Sequence, residues 1–157
     1  MINIVFVCTG NVCRSPMAEG ILRYKWNKMN RTGLSVSSMG IHGLDHKPAV
    51  IHAFDVCKEN DIDISSHYSR ELIIPELDEA HLIFCMELIH IDFVRLFIPK
   101  LSEKVFLLGA WPNSEKRKSN ISDPIGRPIK EFRRVFSVIS NHIDRIIPIL
   151  IEEYFYI

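Results

Sequence analysis

The sequence predicts an α/β fold: a four-stranded parallel sheet with helices on both faces. Three observations carry this expectation. Short β-branched or aromatic runs alternate with helical stretches along the chain, the pattern of successive strand–helix–strand units. The first run, Ile2 to Cys8, is mostly apolar rather than alternating, as in a strand covered on both faces. A length of 157 residues suits one domain, predicted to span residues 1–157, with enough chain to bury a core.

Each element has its own signal. Over Pro16 to Asn30, Met17, Gly20, Ile21, Tyr24 and Lys28 recur every three or four residues, with Ser15 as the expected N-cap and Pro16 at the first helical position. Leu34 to Met39 reads as the second strand and Pro48 to Asn60 as the second helix. Ala80 to Met86 is a third buried strand, Glu87 to Ile98 a helix stopping before Pro99, and Lys104 to Leu108 a fourth strand. Residues 109–128 carry Pro112, Pro124 and Pro128 and no regular period. A loop of that length in a compact domain is usually functional. Its charged run Glu115-Lys116-Arg117-Lys118 reads as a solvated face. From Ile129 onward, Phe132, Val135, Phe136, Ile139, Ile143, Ile146 and Ile147 form a helical stripe, which Pro148 should kink or end.

Composition narrows the function. Nineteen basic and nineteen acidic side chains leave no net charge, which argues against a nucleic-acid binder but not against one concentrated anion site. Seven Gly and eight Pro exclude collagen-like and low-complexity classes. No leader pattern or membrane-spanning run is visible, so the expectation is a cytoplasmic protein with no membrane partner and reduced thiols. The seven histidines show no ligand-like grouping, so no metal and no other cofactor is expected. His42 and His46 flank Gly43 and Asp45 and read as surface residues.

The chemistry concentrates after the first strand. Cys8-Thr9-Gly10-Asn11-Val12-Cys13-Arg14-Ser15-Pro16 is a cysteine, five residues, an arginine and a serine in a strand–loop–helix context. Gly10 and Asn11 tolerate left-handed backbone, so the loop can curl until its N–H groups converge. No proline lies between Cys8 and Ser15, and the following helix adds the positive end of its dipole. The result is a cradle for a tetrahedral oxyanion such as inorganic phosphate, formed by Cys8, Thr9, Gly10, Asn11, Val12, Cys13, Arg14 and Ser15. Arg14 offers a planar fork for two phosphoryl oxygens. Those same donors favour the thiolate of Cys8, a nucleophile aimed at the bound phosphorus, and Ser15 can hydrogen-bond the sulfur as it departs.

This loop, continued by Met17-Ala18-Glu19, strongly resembles the signature of the low-molecular-weight protein tyrosine phosphatases. Ser37-Ser38, Asp63-Ile64-Ser65-Ser66-His67, Ser69-Arg70, Ile83-Phe84-Cys85-Met86 and Ser122-Asp123-Pro124 fall in the family's order, so the resemblance covers nearly the whole chain. It implies a phosphate-binding loop between the first strand and first helix, and hydrolysis of phosphotyrosine proteins or small aryl phosphates through a cysteinyl-phosphate. Asp123, which alone would read as a turn residue, becomes the implied general acid. Asn11 is implied to hold the loop's shape and His67 to bond toward Ser15. Cys13 matches the family's second loop cysteine, which implies a reversible disulfide with Cys8. Cys57 and Cys85 read as core residues.

Two features depart from the family. The loop Gly40-Ile41-His42-Gly43-Leu44-Asp45-His46-Lys47 and the Ile125-Gly126 after Asp-Pro lack the aromatics often found there. Leu44, His42, His46 and Ile125 are the candidates for the pocket wall instead. Three other readings compete. Related phosphoarginine phosphatases often carry threonine where Val12 stands. A related arsenate reductase needs a cysteine soon after Cys85, and none follows. A non-enzymatic phosphate-binding module would not need nucleophile, arginine and acid together.

Overall fold

The computed structural model describes residues 1–43 and 46–156. Four parallel strands, β1 (Ile2–Cys8), β2 (Leu34–Gly40), β3 (Leu82–Cys85) and β4 (Val105–Leu107), form one sheet in the order β2-β1-β3-β4. Among the described residues five helices surround it: α1 (Arg14–Lys28), α2 (Ile51–Glu59), α3 (Ile74–Glu79), α4 (Leu88–Phe97) and α5 (Ile129–Phe155). Short 3-10 turns occupy Pro99–Lys104 and Arg117–Ser119.

The mostly apolar run of β1, broken only by Asn3, is explained by cover on both faces. Ile4 and Phe6 pack with Met17 and Ile21 of α1, Val56 of α2, and Ile139 and Ile143 of α5. Val5 and Val7 point the other way, toward Leu77 of α3 and Ile91 and Val94 of α4. Each large side chain so buried contributes roughly 1.5–3 kcal/mol.

Three details differ from the sequence expectation. α1 begins at Arg14 with Cys13 as N-cap, not at Ser15-Pro16, because the Ser15 hydroxyl is engaged elsewhere. α3 has no sequence counterpart above; it is six residues long with Pro75 in its first turn, too short to show a period. α5 does not end at Pro148 but continues to Phe155. Asp144, whose carbonyl loses its partner to the proline, is exposed like Pro148 itself, so water can satisfy it. Burial of Ile147 and Leu150, and the Phe155 ring 5.1 Å from Trp26, hold the last turns.

The register aligns the carboxyl ends. Cys8 pairs with Gly40, Val7 with Cys85, and Cys85 with Leu107. The chain moves from β1 to β2 on one side and returns to β3 on the other. The crevice at such a reversal is where open α/β sheets bind ligands.

Candidate active site

The segment from Cys8 to Ser15 crosses that reversal. Asn11 alone in it takes left-handed geometry, at φ 58°; Gly10 does not need it. The loop is held from outside by its carbonyls. Those of Cys8, Thr9 and Val12 accept N–H bonds from Ile41, His42 and Val50 at 3.0, 2.9 and 3.0 Å, and that of Cys13 accepts from Met17. The Asn11 carbonyl accepts from His67 Nε2 at 2.7 Å, so that nitrogen carries the ring proton. A peptide's N–H points opposite its C=O, so carbonyls turned out leave the following amides turned in. Gly40 permits the close approach of β2: a Cβ there would lie 2.8 Å from the Thr9 carbonyl oxygen.

A buried polar chain orients the nucleophile's neighbour. Asn11 Oδ1 accepts the Arg70 backbone N–H at 3.0 Å, which fixes the amide and turns Nδ2 toward Ser15 Oγ (2.8 Å) and Ser38 Oγ (3.0 Å). Ser38 in turn donates to Glu19 at 2.6 Å. Ser15 Oγ, accepting from Asn11, keeps its own proton for Cys8 Sγ, 2.9 Å away. His67 thus supports the loop through the Asn11 carbonyl, not by the expected bond to Ser15.

Arg14 is 1% exposed despite its charge. Its Nη1 donates to the Ile121 carbonyl at 2.7 Å and lies 3.1 Å from Glu87; its Nη2 lies 3.3 Å from Asp123 Oδ2. Its Nε is buried and makes no hydrogen bond among the described residues. A buried donor without a partner is costly, so this edge of the fork suits an anionic ligand. The long loop delivers the opposite wall. Arg145 binds the carbonyls of Trp111 and Leu108, Asn120 Oδ1 accepts the Leu88 N–H at 2.9 Å, and Ile121 N–H reaches the Met86 carbonyl at 2.8 Å. Asp123 follows, its Oδ1 accepting the Ile125 N–H at 3.1 Å.

Among the sequence candidates, Cys8, Asn11, Arg14, Ser15, His67 and Asp123 therefore form one connected cluster. Thr9, Gly10, Val12 and Cys13 complete its loop. Burial first, then Asp123 and Cys8, push the Cys13 thiol up to about 12, against the pull of Arg14. Burial pushes Cys57 to about 12 and raises Cys85 as well, as core thiols should behave. Among the described residues no group of three His, Cys, Asp or Glu side chains is placed to hold a metal ion.

The pocket wall is only partly as expected. Ile125 lines an apolar groove of about 650 Å³ with Val12, Ala49, Val50, Phe54 and Ile64. His42 and His46 do not line it; both are exposed, and His42 meets Phe93 edge-on at 6.1 Å. Leu44 lies outside the described residues. Sequence reasoning missed Phe54 of α2, an aromatic ring that lines the same groove as Val12 and Ile125. It also missed Glu87 and His90, although a polar pair directly after a buried strand marks the ligand edge of such a sheet.

The chain is similar to known proteins along most of its length. The low-molecular-weight protein-tyrosine-phosphatase Etp of Escherichia coli K12 is 33% identical over 139 residues, covering 88% of each chain. A protein-arginine-phosphatase of Geobacillus stearothermophilus is 34% identical over 91% of this chain and 92% of its own. The crystal structure of a low-molecular-weight protein tyrosine phosphatase from T. tengcongensis superposes with a TM-score of 0.88 at 32% identity, over 96% of this chain and all of that one. Residues 3–153 match the low molecular weight phosphotyrosine protein phosphatase family, a family of cysteine-based phosphatases, and the chain belongs to it.

Proposed function

We propose that this protein hydrolyses phosphotyrosine and other aryl phosphate monoesters through a cysteinyl-phosphate, acting as one domain in the cytoplasm. One observation carries the reading: a sulfur bonded by Ser15 at 2.9 Å and a carboxylate 3.3 Å from Arg14 meet at a single oxyanion cradle. In the first step the Cys8 thiolate forms an S–P bond as the P–O bond to the leaving group breaks. Asp123, protonated, gives its proton to that oxygen. In the second step Asp123 takes a proton from water as the water attacks phosphorus, the S–P bond breaks, and inorganic phosphate leaves. Arg14 and the loop amides of Thr9 to Ser15 hold the phosphoryl oxygens in both transition states. The Ser15 O–H supports the sulfur as it departs.

The groove against Val12 and Phe54 favours a flat apolar leaving group over a guanidinium. Peptides carrying phosphotyrosine, phosphoserine or phosphoarginine test this directly. Phosphotyrosine should be turned over fastest, with phosphate released in chelator-treated buffer; faster release from phosphoarginine would overturn the substrate assignment. Asp123→Ala should lower kcat/KM, which reports the first step alone, about 10²–10³-fold for phenyl phosphate. The loss should be much smaller for p-nitrophenyl phosphate, whose oxygen leaves without help. Equal losses for the two esters would remove Asp123 as the acid.

Cys13 serves as a redox guard in this scheme. Held as a thiol, it does not compete with Cys8 for substrate. Peroxide converts Cys8 to a sulfenic acid, Cys13 displaces water from it to form the S–S bond, and a thiol reductant restores both. Cys13→Ser should recover markedly less activity than wild type after peroxide and reductant; equal recovery would end this role.

A further inference from the structure

Thr9 and His90 form a hydrogen-bonded pair at the cradle that the steps above leave without a task. His90 is 2% exposed in the first turn of α4. Its Nδ1 accepts the Glu87 backbone N–H at 3.1 Å, so in the neutral ring the proton sits on Nε2. Burial, followed by the Arg14 charge, pushes His90 down to about 3, so the ring stays neutral across ordinary working conditions. Nε2 lies 2.9 Å from Thr9 Oγ1 and donates to it. Arg14 Nη2 donates to the same oxygen at 3.4 Å. A hydroxyl has two acceptor lone pairs and one proton. With two donors already aimed at Oγ1, its remaining capacity is to donate. The same Arg14 nitrogen lies 3.3 Å from Asp123, so this hydroxyl stands where loop, fork and carboxylate converge.

We infer that the Thr9 side-chain hydroxyl, oriented by His90, donates a hydrogen bond to a phosphoryl oxygen of the bound substrate. It adds a side-chain donor to a cradle otherwise made of backbone amides and Arg14. Thr9 then contacts the substrate through its side chain as well as its amide, and His90 is a positioning residue acting through it. The inference rests on the phosphatase reading above. The ligand class is a tetrahedral oxyanion, so inorganic phosphate serves as the probe.

The test compares kcat and KM for p-nitrophenyl phosphate, and the competitive inhibition constant of inorganic phosphate, in five variants. Thr9→Val keeps the branched shape and removes the O–H. It should raise the phosphate constant and lower kcat/KM, each about tenfold, the scale of one hydrogen bond to a charged group. Thr9→Ser restores the donor and should stay within about threefold of wild type. His90→Phe frees the hydroxyl to turn and should lower kcat/KM in the same direction, with part of the loss recovered in His90→Gln, whose amide can donate. In the Thr9→Val background, His90→Phe should add nothing further. Phosphate affinity unchanged in Thr9→Val overturns the inference. So does a His90→Phe loss that is as large without the Thr9 hydroxyl as with it. If His90→Phe does not fold, the contrast between Thr9→Val and Thr9→Ser still decides. A wild-type protein that neither cleaves the ester nor binds phosphate would instead overturn the phosphatase reading itself.

Discussion

Replacing Cys8 by serine should reduce turnover of p-nitrophenyl phosphate by roughly 10⁴-fold or more, the loss associated with removing a nucleophile. A thiolate attacks with a full negative charge, whereas an alcohol at the same place must first lose its proton. The group in hydrogen-bond contact with Cys8 Sγ is the Ser15 hydroxyl, itself an alcohol and no base. The substitution is close to isosteric and the position is 2% exposed at the end of β1, so the fold should tolerate it. The measurement is initial rate together with a thermal unfolding midpoint. Activity within tenfold of wild type, in protein that melts normally, would remove Cys8 from the mechanism.

Arg14→Lys should cost about 10²–10³-fold in kcat/KM although the charge is kept, because charge is only part of what the residue supplies. The guanidinium simultaneously binds the Ile121 carbonyl, faces Glu87 and Asp123, and keeps Nε unpaired among the described residues. A lysine ammonium is a point donor and cannot span these directions while gripping two phosphoryl oxygens. The phosphate inhibition constant should rise alongside. Since the side chain is buried, added salt should change the defect little. A lysine variant with near wild-type kcat/KM would mean that charge alone suffices and the fork is not used.

The parts of this protein legible from sequence are those determined locally. β1 announces itself because cover on both faces demands an apolar run. The loop from Cys8 to Ser15 announces itself because few residue types suit a converging backbone ahead of a helix. Long-range partners were harder. Ser15 carries the sequence signature of an N-cap, yet its hydroxyl is claimed by Cys8 and Asn11 through tertiary contact. The family resemblance ties His67 to the right loop but to Ser15 rather than the Asn11 carbonyl, since which atom it meets depends on how residues 61–70 pass the sheet edge. Pro148 withholds an N–H as its local rule demands, yet it does not end α5, because burial on the opposite side carries the helix on to Phe155. Glu87 and His90 gained meaning only from the alignment of β3 beside β1.

The cradle's outward carbonyls have a consequence for what the sequence can vary. Its inner surface is made largely of peptide N–H groups, and three of the donors holding it from outside, at Ile41, His42 and Val50, are peptide N–H groups too. Those three bonds therefore do not depend on which side chain the donor residue carries, provided it is not proline. Other contacts do depend on residue type: Asn11 and His67 brace the loop through side-chain atoms, and Gly40 leaves the gap through which β2 approaches it. Anion recognition here is encoded chiefly in chain path, and drift in surface sequence leaves it intact.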